Sequence, residues 1–311
     1  MESVTAVVPT LGRSPLLVEC LAALRNDGGD HLDIVVVHPA DSAPTLSREL
    51  GAQTLPTSRS LGFAAASNLG LGVAKTSLVA VVNDDVIVRS PWLGPLTAAL
   101  GAEAELAAVQ GTNLDQADCS RIDGYGLAWN RRWQAVQLGH HRPIDEAPSS
   151  EREIFGVSAT AAVFRRDALH AAALSKDAKG PFDETLESYY EDVDLACRLR
   201  AAGFRARCEP RAVCLHRGAT TAPPVKRHRL VYRNRYLVLA RLLGRSFWQR
   251  LPFFIIGDLR ELAGAIARGR HQHARGLLAG LAQVPLHLPH FSGLGPPMLP
   301  ISDIRRLGAL E

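Results

Sequence analysis

The 311-residue sequence has few of the features that cross-link or anchor a chain. Its five cysteines are odd in number and form no C-x-x-C pair, so neither a disulfide framework nor a zinc site is predicted. No stretch reaches the roughly 18 apolar residues that span a bilayer. The nearest, Leu251 to Ile256, is bracketed by Arg250 and Asp258. The first residues lack a basic leader followed by a long apolar stretch, so we expect a cytoplasmic protein.

Two common nucleotide-binding signatures are also absent. No G-x-G-x-x-G follows the first apolar run, which argues against a Rossmann dehydrogenase. The segment Thr10-Leu11-Gly12-Arg13 is too poor in glycine, and lacks the lysine, for the N-terminal loop of a nucleotidyltransferase. If the chain binds a nucleotide, it does so with other residues.

The formal charge of +4 averages two stretches of opposite sign. Residues 1–225 carry a net charge of −6, whereas Lys226 and eleven arginines outnumber Asp258 and Glu261 across residues 226–275, a net of +10. No recognition motif for nucleic acid accompanies these arginines, so we expect no nucleic-acid partner. A basic module that binds nucleic acid is the disfavoured alternative.

The basic stretch also carries aromatic side chains. Trp248 and Phe253 stand among arginines, a combination typical of helices that dock on an anionic membrane surface. We therefore expect peripheral contact with the inner face of the plasma membrane. Packing of these side chains on the rest of the chain, or on a second copy in a homodimer, is the alternative.

Apolar runs of strand length alternate with helical patterns in the first hundred residues, which indicates an α/β fold with a parallel sheet. The predicted strands are Val4–Val8, Ile34–Val37, Gln53–Leu55 and Leu78–Val82. The predicted helices are Leu16–Leu24, Leu46–Leu50 and Ala64–Ala74. Further on, the pattern favours a helix over Tyr190–Ala202, a short strand over Val213–Leu215 and, because of its prolines, an irregular tail from Pro285.

Asn83-Asp84-Asp85 follows the predicted strand Leu78–Val82 directly. In open α/β sheets ligands bind beyond the carboxyl ends of the strands. Adjacent carboxylates there suit a hard divalent cation, because Mg²⁺ and Mn²⁺ prefer oxygen ligands and share them with substrate phosphates. A solvated turn is the alternative, since Asn and Asp are common turn residues.

Acidic residues crowd the start of the helix predicted over Tyr190–Ala202. Glu191, Asp192 and Asp194 meet the positive end of the helix dipole there, which makes helix capping one explanation. A carboxylate on an anchored helix can also act as a general base. His216, at the end of a strand, is a candidate metal ligand or phosphate contact, or an ordinary loop histidine.

Six segments together resemble the family 2 glycosyltransferases of the GT-A fold, with the bacterial rhamnosyltransferase-like branch the most similar. The resemblance covers roughly residues 4–240, with the motifs in the family's order. The segments are Val7-Val8-Pro9-Thr10, Arg59-Ser60-Leu61-Gly62-Phe63 with Ser67-Asn68, Asn83-Asp84-Asp85, Gly180-Pro181-Phe182-Asp183-Glu184, Tyr190-Glu191-Asp192-Val193-Asp194-Leu195 with Arg198, and His216.

The resemblance implies a GT-A catalytic domain, a Rossmann-like nucleotide-binding sheet with flanking helices, over residues 1–224. Its nucleotide-sugar half covers about 1–111 and its acceptor half about 112–224, and a basic, amphipathic helical extension covers 225–311. It implies transfer of rhamnose or another hexose, with inversion, from a nucleotide-diphosphate sugar to a hydroxyl of a glycan or lipid-linked acceptor. Cell-wall or polysaccharide biosynthesis is the expected setting.

The resemblance also implies roles for individual residues. Asp192 corresponds to the catalytic base, and Asp85 and His216 to ligands of Mg²⁺ or Mn²⁺. The residues implied in donor binding are Pro9, Thr10, Asp41, Gly62, Phe63, Asn68 and Asp84. The residues implied in the acceptor site or its support are Gly156, Glu191, Asp194 and Arg198.

The chain departs from the family pattern in two places. His38-Pro39-Ala40-Asp41-Ser42 replaces the usual acidic residue and Asn-Gly-Ser-like turn that hold base and ribose, with Asp41 as the substitute. Asn83 stands at the first position of the DxD-type motif. A non-catalytic scaffold of the same fold is the alternative, and Asp85, Asp192 and His216 together argue against it.

Overall fold

The structure is a computed structural model that describes residues 2–42, 51–175, 178–218, 222–291 and 295–308. The helix predicted over Leu46–Leu50 lies outside these residues. The strands in them are β1 Val4–Pro9, β2 Leu32–Pro39, β3 Gln53–Thr57, β4 Leu78–Val82, β5 Val86–Arg89, β6 Leu106–Asp115, β7 Ile122–Gly124, β8 Leu127–Trp129, β9 Ala135–Gln137, β10 Arg152–Ile154, β11 Ala161–Arg165 and β12 Arg205–His216. The α-helices are α1 Leu17–Gly28, α2 Phe63–Val73, α3 Leu93–Ala102, α4 Arg166–Ala171, α5 Glu191–Ala201, α6 Pro224–Leu243, α7 Arg245–Ala267, α8 His271–His287 and α9 Ile301–Gly308.

One large sheet organises the front of the chain, in the order β10-β12-β6-β11-β4-β1-β2-β3. The strands β3, β2, β1 and β4 run parallel, as the sequence predicts. Beyond β4 the sheet is mixed, because β11 pairs antiparallel with both β4 and β6. The described residues between β6 and β11 form short strands and turns without an α-helix. Without a crossover helix the chain re-enters the sheet at the end where β6 finishes, so β11 runs antiparallel to β6.

Both faces of the central strands are buried, which explains their unbroken apolar runs. Val4, Ala6 and Val8 pack with α1 and α3 on one side, while Val7 faces α2 on the other. A Cβ added at Gly70 of α2 would lie 2.2 Å from Cγ1 of Val7, so this helix approaches β1 as closely as a glycine allows. The tight layering brings the α2 start to the carboxyl ends of the parallel strands.

The basic stretch folds into helices that share a core with the sheet domain. Tyr236 and Leu239 of α6 belong to the same apolar cluster as Trp129, Phe155 and Tyr190 of the front. No helix among the described residues is long and apolar enough to cross a membrane.

The irregular tail predicted from Pro285 is wrong in two places, because α8 continues through Pro285 to His287 and α9 covers Ile301–Gly308. Close packing explains the first difference. A Cβ at Gly276 would lie 2.5 Å from Cβ of His228, so α8 sits tightly against α6. That packing outweighs the helix-breaking tendency of a proline in the last turn.

Candidate active site

The turn after β4 is held by the loop after β1. Thr10 follows Pro9, the last residue of β1, and its Oγ1 donates a hydrogen bond to Oδ2 of Asp84 at 2.5 Å. Ser14 Oγ donates to the Asp84 carbonyl at 3.0 Å. Burial raises the pKa of Asp84 to about 6, although the Thr10 hydrogen bond opposes that rise. The carboxylate is therefore fixed in place at the carboxyl end of the sheet, where the sequence predicts it.

Asp85 faces His216, the last residue of β12. Nε2 of His216 lies 3.4 Å from Oδ1 of Asp85, and Nδ1 lies 2.8 Å from Oδ2 of Asp123 in β7. Burial alone lowers the pKa of His216, but its hydrogen bonds to Asp123 and Asp85 outweigh burial and raise the pKa to about 9. Asp123 is absent from the predicted site, because an isolated Asp in a polar stretch gives no signal in one sequence.

The donor set at His216 and Asp85 fits a divalent cation. A carboxylate oxygen only accepts hydrogen bonds, so Nδ1 of His216 donates to Asp123. The raised pKa of His216 keeps the ring protonated when no cation is bound, so Nε2 would lose its proton on coordinating one. This carboxylate–histidine pairing is the usual support of a metal-binding imidazole. Among the described residues no group of three His, Cys, Asp or Glu side chains could hold a metal. Mg²⁺ and Mn²⁺ sites with one or two protein ligands and substrate phosphates are common.

Asp192 lies in the first turn of α5. Its Oδ1 accepts a hydrogen bond from the Val193 amide at 2.8 Å, and its Oδ2 accepts one from the Ala159 amide at 3.3 Å. The Thr160 carbonyl in turn accepts from the Asn83 amide at 2.8 Å. Residues 159 and 160 therefore join Asp192 to the turn that carries Asp84 and Asp85.

Burial raises the pKa of Asp192, and hydrogen bonds to its carboxylate oppose the rise. Burial, followed by the charge of Asp192, raises the pKa of Glu191 well above its ordinary value. Oε2 of Glu191 has no hydrogen-bond partner within the described part of the chain. Two adjacent carboxyl groups thus share the α5 start, both shifted toward the protonated form.

Of the four predicted supporting residues, Gly156 packs against α5 and the other three lie in it. Gly156 lets the preceding loop approach this helix, since a Cβ there would lie 2.3 Å from Cβ of Ala196. Asp194 is fully buried, with its Oδ2 2.8 Å from Nε of Arg198, and Arg241 of α6 contacts its other oxygen. Asp194 and Arg198 therefore hold the body of α5, while Glu191 and Asp192 stand at its N-terminal end.

The predicted donor-binding residues of α2 make bonds within the chain. Gly62 caps α2, and the Phe63 amide donates to Ser188 Oγ at 3.1 Å. Buried Asn68 exchanges hydrogen bonds with the backbone of Phe182 at 2.9 and 3.0 Å. These bonds tie α2 to residues 180–188, which lead into α5.

Asp41 stands apart from these contacts, exposed in the short turn Ala40–Ser42 after β2. This turn lies beside the loop after β1, because a Cβ at Gly12 would lie 2.5 Å from Cβ of Ser42. The strand ends therefore bring Thr10, Asp41, Asp84 and Asp85 to one edge of the sheet.

A sequence model described as "Glycosyl transferase family 2" matches residues 5–171, more than half of the chain. The chain belongs to this family. The expected family 2 resemblance is thus confirmed, whereas the rhamnosyltransferase-like branch stays a prediction. The match includes the turn with Asp84 and Asp85 and ends before α5, which carries Asp192.

Relatives of this family 2 chain include the pre-mycofactocin glycosyltransferases of two Mycobacterium tuberculosis strains. Each is 30% identical to this chain over 227 residues, which cover 69% of this chain and 43% of the relative. The chain therefore spans less than half the length of the relatives it matches.

Two solved structures share the fold of this family 2 chain. GalNAc-T7 with UDP, GalNAc and Mn²⁺ superimposes with a TM-score of 0.63 at 11% identity, covering 96% of this chain and 59% of that one. The mannosyltransferase PcManGT from Pyrobaculum calidifontis, with GDP-Man and Mn²⁺, gives 0.54 at 17% identity, covering 91% and 87%. The expected GT-A fold with a C-terminal helical extension is confirmed.

Proposed function

We propose that this chain is an inverting glycosyltransferase that moves a sugar from a nucleotide-diphosphate donor to a hydroxyl group. The observation that carries the proposal is the join between Asp192 and the Asn83-Asp84-Asp85 turn through residues 159 and 160. It sets a candidate base beside a candidate diphosphate site. Nucleotide or nucleotide-sugar ligands in both structural neighbours support the choice of donor.

In the proposed reaction Asp192 accepts the proton of the acceptor hydroxyl while the oxygen of that hydroxyl attacks the anomeric carbon of the donor sugar. A glycosidic C–O bond forms, the C–O bond to the diphosphate breaks, and the nucleoside diphosphate leaves with the electron pair. One displacement inverts the anomeric configuration. The burial that raises the pKa of Asp192 makes it a stronger base than an exposed carboxylate.

Asp85 and His216 would hold Mg²⁺ or Mn²⁺, with Asp84 next to them. When bound, the ion supplies positive charge that stabilises the leaving diphosphate. Asp123 keeps the His216 ring oriented, and Thr10 keeps the Asp84 carboxylate turned toward the β1 loop. Mn²⁺ in both structural neighbours supports this use of the site.

We propose a hexose such as rhamnose as the transferred sugar, with Asp41 at the nucleoside side of the donor. The acceptor would be a glycan or a lipid-linked glycan. The pre-mycofactocin glycosyltransferases among the relatives add pre-mycofactocin to the acceptors that merit testing. Residues 1–224 would form the catalytic domain, with halves dividing near 111, and residues 225–311 the attached helices.

The outer face of α7 supports peripheral membrane contact. Trp248, Phe253, Ile256, Leu259 and Ile266 are each between 45% and 56% exposed. Their spacing puts most of them along one side of the helix. Exposed Arg245 and Arg260 flank the strip, which suits an anionic lipid surface. We therefore place an anionic bilayer, as at the inner face of the plasma membrane, against this face; a homodimer is the competing occupant.

The proposed function is tested with a panel of UDP-, dTDP- and GDP-sugars, each with and without Mn²⁺. Ligand-induced thermal shift finds the donor, and product analysis with candidate acceptors gives the linkage. Asp192→Asn should then lower kcat by about 10² to 10⁴, the usual cost of losing a general base. Asp167→Asn is the matched control, because Asp167 also stands in the first turn of a helix. Unlike Asp192, it is exposed and lies at the opposite end of the strands, where β4 begins.

Two outcomes would contradict the proposal. Activity of Asp192→Asn within a few-fold of wild type would remove Asp192 as the base. Binding of a nucleotide sugar without transfer to any of the candidate acceptors would favour the non-catalytic scaffold.

A further inference from the structure

The segment before α5 has an unusual backbone. Glu187, Tyr189 and Tyr190 have φ angles of 62°, 67° and 71°, in the left-handed region that residues with a Cβ rarely enter. None of them is a glycine. Such a conformation persists only where the surrounding structure imposes it, and it is most often found at functional sites. This segment ends at Glu191 and Asp192.

Asn234 of α6 holds this segment from one side. The residue is fully buried, and its Nδ2 donates to the carbonyls of Leu186 at 2.7 Å, Ser188 at 3.0 Å and Tyr189 at 2.7 Å. Its Oδ1 accepts a hydrogen bond from Nε of Arg233 at 2.9 Å, which fixes the orientation of the amide. One side chain thus contacts three carbonyls of a left-handed turn.

Arg233 adds to the same support. Its guanidinium donates to the carbonyls of Thr185 and Leu186 at 3.0 and 3.3 Å and pairs with the Glu187 carboxylate at 3.0 Å. Arg233 is buried, whereas the Glu187 side chain is 40% exposed, so the two carbonyl bonds are the better shielded contacts. The carbonyl edge of the segment therefore faces donors from α6.

The start of α2 holds the segment from the other side. The Ala64 amide donates to the Glu187 carbonyl at 3.0 Å, and a Cβ at Gly62 would lie 2.6 Å from that oxygen. The Phe63 amide donates to Ser188 Oγ. The segment is thus clamped between α6 and the helix that carries predicted donor-binding residues.

We infer that Asn234 is a positioning residue, which acts through the 185–190 segment to set the direction in which α5 presents Asp192. This inference rests on the proposed role of Asp192 as base. Losing Nδ2 would remove this donor from the carbonyls of Ser188 and Tyr189 and let the left-handed turn relax, whereas the Leu186 carbonyl would keep its bond from Arg233. A carboxylate displaced by about 1 Å can lose about 10²-fold in rate.

The test is a double-mutant cycle with purified full-length chain. Asn234→Ala should lower kcat about 10- to 100-fold and leave the KM for the donor within about threefold. In an Asp192→Asn background the same change should cost less than about threefold, since the group it positions is already gone. Asn234→Ser, which keeps one donor, should recover part of the rate, and it carries the test if the Ala variant does not fold.

Hydrogen exchange provides a readout that does not depend on activity. Asn234→Ala should speed exchange at the amides of residues 186–194 and leave β1 and β4 protected. Tyr236→Phe is the matched control, because it removes a buried 2.7 Å hydrogen bond that the same helix makes to Asp258 and not to the 185–190 segment. It should leave both kcat and exchange at 186–194 unchanged.

Equal losses from Asn234→Ala in both Asp192 backgrounds, or unchanged exchange at 186–194, would overturn the inference. Full activity of Asp192→Asn would instead refute the proposed base. The exchange result would then still decide whether Asn234 fixes the segment, so the two failures are distinguishable.

Discussion

Nε2 of His216 lies 3.4 Å from Oδ1 of Asp85, joining the end of β12 to the turn after β4. The opposite nitrogen of the ring is held by Asp123 at 2.8 Å. The pairing of His216 with Val86 across β12 and β5 sets this approach. The imidazole therefore cannot turn away from Asp85 without losing its bond to Asp123.

Asp123→Asn should weaken Mn²⁺ binding about 10- to 100-fold, the usual cost of losing a partner behind a metal-binding histidine. The variant keeps the shape of the side chain and removes its charge. Mn²⁺ titration followed by electron paramagnetic resonance, with nucleoside diphosphate present, measures the effect. His216→Ala should weaken binding at least as much, and Asp118→Asn, on an exposed turn nearby, should not. Equal affinity of Asp123→Asn and wild type would contradict this role.

The acid limb of the rate profile should depend on Asp192. Burial raises the pKa of this carboxyl above its ordinary 3.8, so the proton-accepting form is lost as pH falls through that raised value. kcat/KM should decline accordingly. Because the pKa of Asp84 is also raised, the informative quantity is the difference between the wild-type and Asp192→Asn profiles. Two parallel acid limbs would argue against proton transfer to Asp192.

The strand Leu78–Val82 and the acidic turn after it could be predicted, because a strand buried on both faces appears in the sequence as an unbroken run of apolar residues. The direction of β11 could not be predicted, since apolar periodicity does not record at which end of the sheet a strand begins. Residues 157–160, directly before β11, form the turn that joins Asp192 to Asn83, and this contact exists only after folding.

The arginines of α6 show a second limit of sequence patterns. Arg233 and Arg235 contribute to the +10 charge of residues 226–275, yet both are buried and paired with Glu187 and Asp258. Charge counts do not reveal such pairs, because the partners are distant in sequence. Only the exposed arginines of the stretch can attract an anionic surface. Asn234 is hidden for the same reason, as its three carbonyl contacts exist only after folding.

Replacing two exposed side chains of α7, in Ile256→Glu/Leu259→Glu, should abolish binding to anionic vesicles. Burial of one such side chain contributes about 1.5–3 kcal/mol, so the pair should change partitioning by about 10²-fold or more. Co-sedimentation with phosphatidylglycerol vesicles measures it, and Ile144→Glu, equally exposed elsewhere, is the control. Wild type that stays in the supernatant would contradict membrane docking, and a dimer broken by the same change would assign this face to a second copy.

Arg241→Met should destabilise the whole chain, because Arg241 of α6 pairs with both Asp183 and Asp194 of the front. The Met stem can still pack over Phe291, whose ring centre lies 4.1 Å from the guanidinium, so chiefly the charge is lost. Asp194 is fully buried, and breaking a buried pair costs about 3–5 kcal/mol.

Urea unfolding measures the loss. Arg142→Met is the matched control, since its pair with Glu146 is exposed and worth about 1 kcal/mol or less. Because these ion pairs join residues 225–311 to residues 1–224, the two parts of the chain should unfold in a single transition. Two separate transitions, with Arg241→Met shifting only one, would show that residues 225–311 fold independently of residues 1–224.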